Sequence, residues 1–266
     1  MSISQLIAEL RTAILESGSH GSHDTLRVKD LQQALVKHGD EAVEQLAVLL
    51  RDPDFQISEA GAEVLQMIAS EQAYDELVGY ALRHLDDPTG KTKLPGLGWR
   101  RLRVLGKTVL PAMYRAYSVE QPFGTRLSMI HIAQQIGDPA GFPLLDTVLT
   151  DSDSRLVEAA AEALGRVGGP LAYERLVKLL SSENVQHRVG AIRGLKLLGN
   201  PAAVEPLLDV LLTEDQHFVQ WGPSSGLQTE TMLHQTAAKA IDILTGEQLD
   251  GEVARIRYWI EKHLQH

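Results

Sequence analysis

The chain has 266 residues, of which 44% are hydrophobic, 23% are charged and 5% are aromatic, and it contains no cysteine. The missing cysteines exclude disulfide scaffolds, thiol nucleophiles and zinc sites built on cysteine. The formal net charge of −10 argues against a surface adapted as a whole to nucleic acid.

The N-terminal residues predict a cytoplasmic protein that begins with a helix. Residues 1–5 lack a basic segment followed by an apolar one, so we expect no secretory signal. No run of about 18 apolar residues occurs anywhere, so we expect no membrane span. The first predicted element is a helix over residues 3–15, which would cap one end of the fold.

From residue 38 onwards the sequence repeats, mostly with a period of 31 residues. Five copies start at a marker residue with a small residue four positions later and a leucine eight positions later, and two further copies align with them. The markers are His38, Ala69, Gly106, Gly137, Gly168, Gly199 and Thr245. Six extra residues precede Gly106 and fifteen precede Thr245. Such a period is typical of a repeat architecture.

Each repeat predicts two helices. In the first, Ala172, Leu176, Leu179 and Leu180 show the spacing that places apolar residues on one helix face. A turn rich in Asp and Ser supplies N-cap residues for the second helix, which ends at the next marker glycine. Because one such pair cannot bury its apolar face alone, we expect the copies to stack.

The repeats resemble HEAT repeats, in particular the short type named after the phycobilisome lyases. The resemblance rests on the spacing G-x-P-x-A-x-x-x-L-x-x-L-L and on the run AAEALG at residues 160–165, and it covers roughly residues 24–250. It implies an all-α fold, an α-α superhelix or solenoid of about six helix pairs. We expect a single domain over residues 1–266, with a second capping helix at residues 253–264.

Two insertions, at residues 86–98 and 214–230, are predicted as loops because both contain Gly and Pro. Insertions are common functional places in solenoids. Phe218 and Trp221 in the second are apolar residues in a polar segment, and they need a surface that buries them. The alternative is ordinary variation in loop length, which costs little free energy.

Residues 88–117 contain seven basic and no acidic residues, so the rest of the chain carries −17. This local reversal of charge predicts a patch for an anion or an acidic partner. Leu102 and Leu105 are predicted to lie in the core, whereas Arg100, Arg103 and Lys107 form one exposed stripe. The candidate partner-binding residues are Trp99, Arg100, Arg101, Arg103, Lys107, Arg115, Phe218 and Trp221.

Simpler explanations stay open for this patch. Trp99 takes a position that Ile192 holds in a later repeat, so it fits a core side chain, and the basic run fits a solvated helix face. Arg101 is the unusual residue. Its counterparts in the other repeats are uncharged, and they are Gly194, Ala163, Ile132 and Val64.

The HEAT resemblance implies that the first helix of each repeat lines a concave side. Opposite the apolar face of these helices, six residues after the marker, stand Glu44, Asp75, Ala112, Pro143, Glu174 and Glu205. Acidic flanks around a neutral or basic middle suit a protein partner of mixed charge better than a phosphate backbone, which needs several cations along its track.

The sequence contains no motif for catalysis. No histidine precedes a glutamate, which argues against the His-Glu pattern of the di-iron HEAT hydroxylases, and the G-x-S-x-G, P-loop and G-x-G-x-x-G motifs are missing. His20 and His23 lack a third ligand nearby. We therefore expect no catalytic residue, no metal and no cofactor.

The leading hypothesis is a non-catalytic protein-binding scaffold or adaptor. Its expected partner is another protein with an acidic patch, rather than nucleic acid or a membrane. The resemblance leaves two alternatives: a bilin-lyase-like subunit or chromophore chaperone, and a HEAT-type nucleic-acid-binding protein or glycosylase. The net charge argues against the last.

Overall fold

The computed structural model describes residues 1–17, 24–83, 97–221 and 227–264, with side chains for residues 1–16, 26–83, 100–212 and 233–264. The α-helices are α1 (Ile3–Ser17), α2 (Asp24–Val36), α3 (Val43–Leu49), α4 (Phe55–Ile68), α5 (Glu71–Arg83), α6 (Leu97–Leu105), α7 (Leu110–Ala116), α8 (Phe123–Ile136), α9 (Phe142–Val148), α10 (Ser154–Val167), α11 (Pro170–Leu179), α12 (Val185–Leu198), α13 (Val204–Trp221), α14 (Leu227–Thr245) and α15 (Val253–His263). Short 3₁₀ turns precede α3, α7, α9 and α13. These residues contain no strand, and the predicted all-α fold is confirmed.

Contacts between helices divide the chain into two units, Met1–Ser118 and Val119–His266, here called unit 1 and unit 2. In unit 1, α2 packs on α4, and α5 packs on both α4 and α7. In unit 2, α10 packs between α8 and α12, and α14 packs on α12 and α13. In unit 2 the second helices of successive repeats are therefore neighbours, and in unit 1 the same holds for α2 and α4. A single continuous solenoid over residues 1–266 remains a prediction.

The core confirms the predicted repeat pattern. Leu46, Leu77, Leu145, Leu176 and Leu207, which stand eight residues after their markers, are all fully buried. The predicted caps are confirmed as well, because Asp153 and Asn184 accept hydrogen bonds from backbone N–H groups at the starts of α10 and α12. Each copy thus buries an apolar face that its neighbours cover.

The turn before α7 departs from the predicted register. Ala112 was placed opposite the apolar face but is buried, and Tyr114, eight residues after Gly106, is 45% exposed. Met113 fills the core instead. The turn is one residue shorter than in the later repeats, so the exposed position falls on Pro111, which is also uncharged.

The same short turn precedes α3. There Gly39, rather than His38, has the left-handed backbone, with φ of 55°. This is the conformation in which Gly137 and Gly199 end α8 and α12, and glycine adopts it without strain. By backbone conformation Gly39 therefore corresponds to the later marker glycines, and Leu46 follows it by seven residues instead of eight.

The second predicted insertion is partly helical. Helix α13 runs to Trp221 and α14 begins at Leu227, so the prediction of a loop was wrong for residues 214–221 and 227–230. The physical reason is that no helix-breaking residue occurs before Gly222 and Pro223. Residues 86–96 of the first insertion lie outside the described residues, and residues 97 and 98 belong to α6.

Helices α10 and α12 lie in close contact because glycines remove side chains from their interface. A Cβ atom at Gly194 would lie less than 3.0 Å from the carbonyl oxygen of Ala161, and one at Gly165 would meet the backbone of Gly194 as closely. The closest approach of these helices therefore requires glycine at position 194.

The helices of the described residues include no candidate membrane span. Each of them is too short or too polar to cross a bilayer.

Candidate functional site

The predicted basic stripe lies at the C-terminal end of α6 and in the turn that follows. Arg100, Arg103 and Lys107 are exposed, and Leu102 is fully buried, as predicted. Leu105 is only partly buried. Gly106, with φ of 62°, ends the helix, so Lys107 lies in a 3₁₀ turn rather than on the same helix as the two arginines.

Arg101 lies between α6 and α4, where it is 10% exposed. Its Nη2 donates to Glu59 Oε2 at 2.6 Å, and its Nη1 donates to Gln66 Oε1 at 3.0 Å. Its Nε is buried and makes no hydrogen bond to the described residues. The side chain therefore links α6 to α4 through two charge-assisted hydrogen bonds.

Glu59 is also fixed from the side of α5. The Tyr80 hydroxyl donates to Glu59 Oε1 at 3.0 Å and lies 3.2 Å from the Ser58 hydroxyl. Burial raises the pKa of Tyr80 to about 12, so the phenol stays protonated and keeps donating. Both carboxylate oxygens of Glu59 thus have partners within the fold.

The positions equivalent to Glu59 and Arg100 form an ion pair in unit 2. Glu158 stands ten residues before the left-handed residue that ends its helix, as Glu59 does. Arg193 donates to Glu158 Oε1 at 2.6 Å. By repeat position Arg193 corresponds to Arg100, and Gly194 corresponds to Arg101. In unit 1, Arg101 is therefore paired with Glu59. In unit 2 the equivalent glutamate, Glu158, is paired with Arg193, which is the counterpart of Arg100.

Arg100 is consequently left without an ion pair among the described residues. It is exposed and lines a groove of about 830 Å³, the unit-1 groove, which is bounded by α2, α4 and α6. From α2 come Lys29, Gln32 and Gln33, and from α4 come Glu59, Glu63, Gln66 and Met67. From α6 come Arg100, Arg101 and Val104.

The groove combines hydrogen-bonding groups, apolar surface and, besides the paired Arg101, two further cations. Lys29 is exposed and, like Arg100, has no ion pair in the described part of the chain. Glu63 accepts from the Gln32 amide at 2.9 Å. Met67 is 39% exposed and Val104 is 66% exposed. The arrangement suits recognition of a group that carries a negative charge beside an apolar part.

Arg115 belongs to a different surface. It donates from Nη2 to Asp75 Oδ1 at 2.7 Å and lies 2.8 Å from Glu71 Oε1, both on α5. The candidate cations therefore do not form one patch, because Arg100 and Arg101 line the groove, whereas Arg115 is paired on the first helices. Glu44 and Asp75 line a smaller cavity of about 490 Å³ between α3 and α5.

Three candidates cannot be placed. The side chains of Trp99, Phe218 and Trp221 lie outside the described residues, although their backbones belong to α6 and α13. The described residues also contain no group of three or more His, Asp or Glu that could hold a metal ion.

Lys29, Glu59 and Gln66 line the groove but were not predicted from the sequence. The available signal was the repeat itself, because Glu59 and Glu158 share one position and Arg193 aligns with Arg100.

Comparison with known families places the repeats. Residues 120–186 match the family model for HEAT repeats, and residues 188–213 match that for the PBS lyase HEAT-like repeat. Residues 120–213 therefore contain HEAT repeats, and the repeat at residues 188–213 is of the PBS-lyase-like type. Comparison with curated proteins gives no match.

Similar solved structures include the complex of CpcE and CpcF of phycocyanin lyase from Nostoc sp. PCC7120, which is 20% identical and covers 98% of this chain and 94% of that chain, with a TM-score of 0.34. An engineered protein is 18% identical over 98% of this chain and 73% of its own, with a TM-score of 0.36. A second engineered protein is 18% identical over 90% and 97%, with a TM-score of 0.29. Because these TM-scores are low, the likenesses carry no argument about the site.

Proposed function

We propose that this chain is a non-catalytic adaptor that binds another protein through the unit-1 groove. The observation that carries the proposal is a difference in pairing: Arg101 is paired with Glu59, and Arg100 stands exposed in the groove that Lys29 also lines. A surface arginine that already has a carboxylate gains little from a second one. An unpaired arginine at a groove can bind a partner's carboxylate in bidentate geometry.

The charge distribution along the chain also favours an acidic protein as the partner. Outside residues 88–117 the chain carries −17, so an acidic partner would be repelled by most of its surface and attracted to this segment. A phosphate backbone fits poorly, because Glu59 and Glu63 also line the groove. Complementary charge of this kind contributes mainly to the association rate and to specificity.

Photo-crosslinking in the native cell tests the proposal. We expect p-benzoylphenylalanine in place of Val104, which lines the groove, to give a light-dependent adduct with another protein. Val48 on α3 is the matched control, because both valines are 66% exposed. Strong adducts from position 104 and weak ones from position 48 would support the groove.

The contrary outcomes are distinct. Adducts from neither position would argue against an adaptor, and equal adducts from both would argue against this groove as its binding surface. An adduct with the mass of two copies of this chain would show that the chain binds itself, and it would contradict the adaptor function.

A second candidate function is a bilin-lyase-like subunit or chromophore chaperone. The match of residues 188–213 to the PBS lyase HEAT-like repeat favours it. A shift in the absorbance spectrum of a bilin on addition of the chain would support this candidate, and an unchanged spectrum would support the adaptor.

A further inference from the structure

We propose that the unit-1 groove binds a peptide segment of a partner in which an Asp or Glu side chain stands beside an apolar one. The inference rests on the proposed function and names the chemistry of the partner. It assigns the carboxylate to Arg100 and Lys29, and the apolar side chain to the surface of Met67 and Val104.

The first step concerns the charges. Among the described residues, Arg101 is paired with Glu59, and Glu63 accepts from Gln32. The groove's two remaining cations, Arg100 and Lys29, come from α6 and α2. A carboxylate placed between them supplies to Arg100 the kind of partner that Glu158 supplies to Arg193 in unit 2.

The second step concerns the apolar surface. Val104 is 66% exposed and Met67 is 39% exposed, and both line the groove that Arg100 lines. Met67 has an unbranched, polarizable side chain that adapts to different apolar groups. An apolar residue of the bound segment would cover both side chains and remove their surface from water.

The third step explains why a peptide fits the groove better than a simple anion. Gln33 is exposed, and its described hydrogen bond is a long one, 3.6 Å from its Nε2 to Met67 Sδ. A side-chain amide of this kind can donate to and accept from the backbone of a bound segment. A small anion would use the two cations but neither the amide nor the apolar surface.

Arg101 acts here as a positioning residue. It holds Glu59 at 2.6 Å and thereby keeps that carboxylate from pairing with Arg100. Its counterpart beside Arg193 is Gly194, which has no side chain to bind the glutamate, so the unpaired Arg100 depends on this difference between the two repeats.

A random peptide library displayed on phage tests the inference with the whole chain as bait. We expect enriched peptides to carry Asp or Glu next to an apolar residue. Synthetic copies should bind the double variant Lys29→Glu/Arg100→Glu at least about tenfold more weakly than the original chain, and added salt should weaken binding to the original chain.

The matched control is Lys239→Glu/Arg257→Glu, which changes the net charge equally. Lys239 and Arg257 are exposed residues of unit 2 and lie outside the groove lining. We expect this variant to bind the peptides within about twofold of the original chain, since screening weakens distant surface charges. Circular dichroism confirms that both variants keep their helices.

Three results would overturn the inference: no enriched peptide, enriched peptides that are basic or purely apolar, or acidic peptides that bind both double variants equally. None of them removes the adaptor function itself, which the adducts from position 104 test independently.

Discussion

Replacing Leu176 by alanine should lower the free energy of unfolding by about 2–5 kcal/mol. Leu176 is fully buried on α11, and its Cδ2 atom would lie 2.7 Å from a Cβ at Gly194 of α12. The tight packing leaves little room for neighbours to fill the cavity. A urea titration followed by circular dichroism measures the loss, and the transition should also broaden because repeats stabilise mainly their neighbours.

Leu171→Ala on the same helix is the control, because Leu171 is 57% exposed. Its effect should stay within about 0.5 kcal/mol. A loss below about 0.5 kcal/mol for Leu176→Ala would contradict the repeat register, since no core position of this size should be so tolerant.

Gly194→Ala should also destabilise the protein, by about 1–3 kcal/mol, although alanine is the better helix former. Helix propensity alone predicts a gain of about 1 kcal/mol. The steric clash is larger than this gain, so the free energy of unfolding should fall. The new Cβ would meet the backbone of Ala161, which cannot rotate away as a side chain could. The same urea titration measures it.

Gly79→Ala in α5 is the opposite case. The nearest atom to its Cβ is Arg83 Nη1, at an ordinary 3.6 Å, so this change should stabilise the protein by about 0.5–1 kcal/mol. If Gly194→Ala were stabilising as well, α10 and α12 could not be in backbone contact.

The periodic features of the fold were predictable from the sequence. Apolar spacing and cap residues specify local structure, which is why Leu176, Leu207 and the caps Asp153 and Asn184 fall where expected. The predicted exposure of Ala112 was wrong because the turn before α7 is one residue shorter than in the later repeats, although it keeps its glycine, Gly106. The spacing of markers does not reveal where within a turn such a deletion lies.

The site was predicted only in outline. The sequence singled out Arg100 as exposed and Arg101 as unlike its counterparts, but it grouped them with Arg115, which pairs with α5 instead. Net charge along a segment does not say which acidic residue lies opposite each cation. Arg101 pairs with Glu59 because α4 and α6 lie close together, and this distance is set by helix packing rather than by local sequence.

The most direct test of the central claim is the affinity of a selected acidic peptide for two further variants. In Arg101→Ala, Glu59 loses its cationic partner, keeps the Tyr80 hydroxyl and becomes available to Arg100, as Glu158 is to Arg193. We therefore expect weaker peptide binding, although the Arg101 side chain is only 10% exposed. In Arg101→Ala/Glu59→Gln the competing charge is gone, while the amide oxygen can still accept from Tyr80. Binding should then recover. Unchanged binding in the single variant, or weaker binding in the double variant than in the single one, would contradict the account.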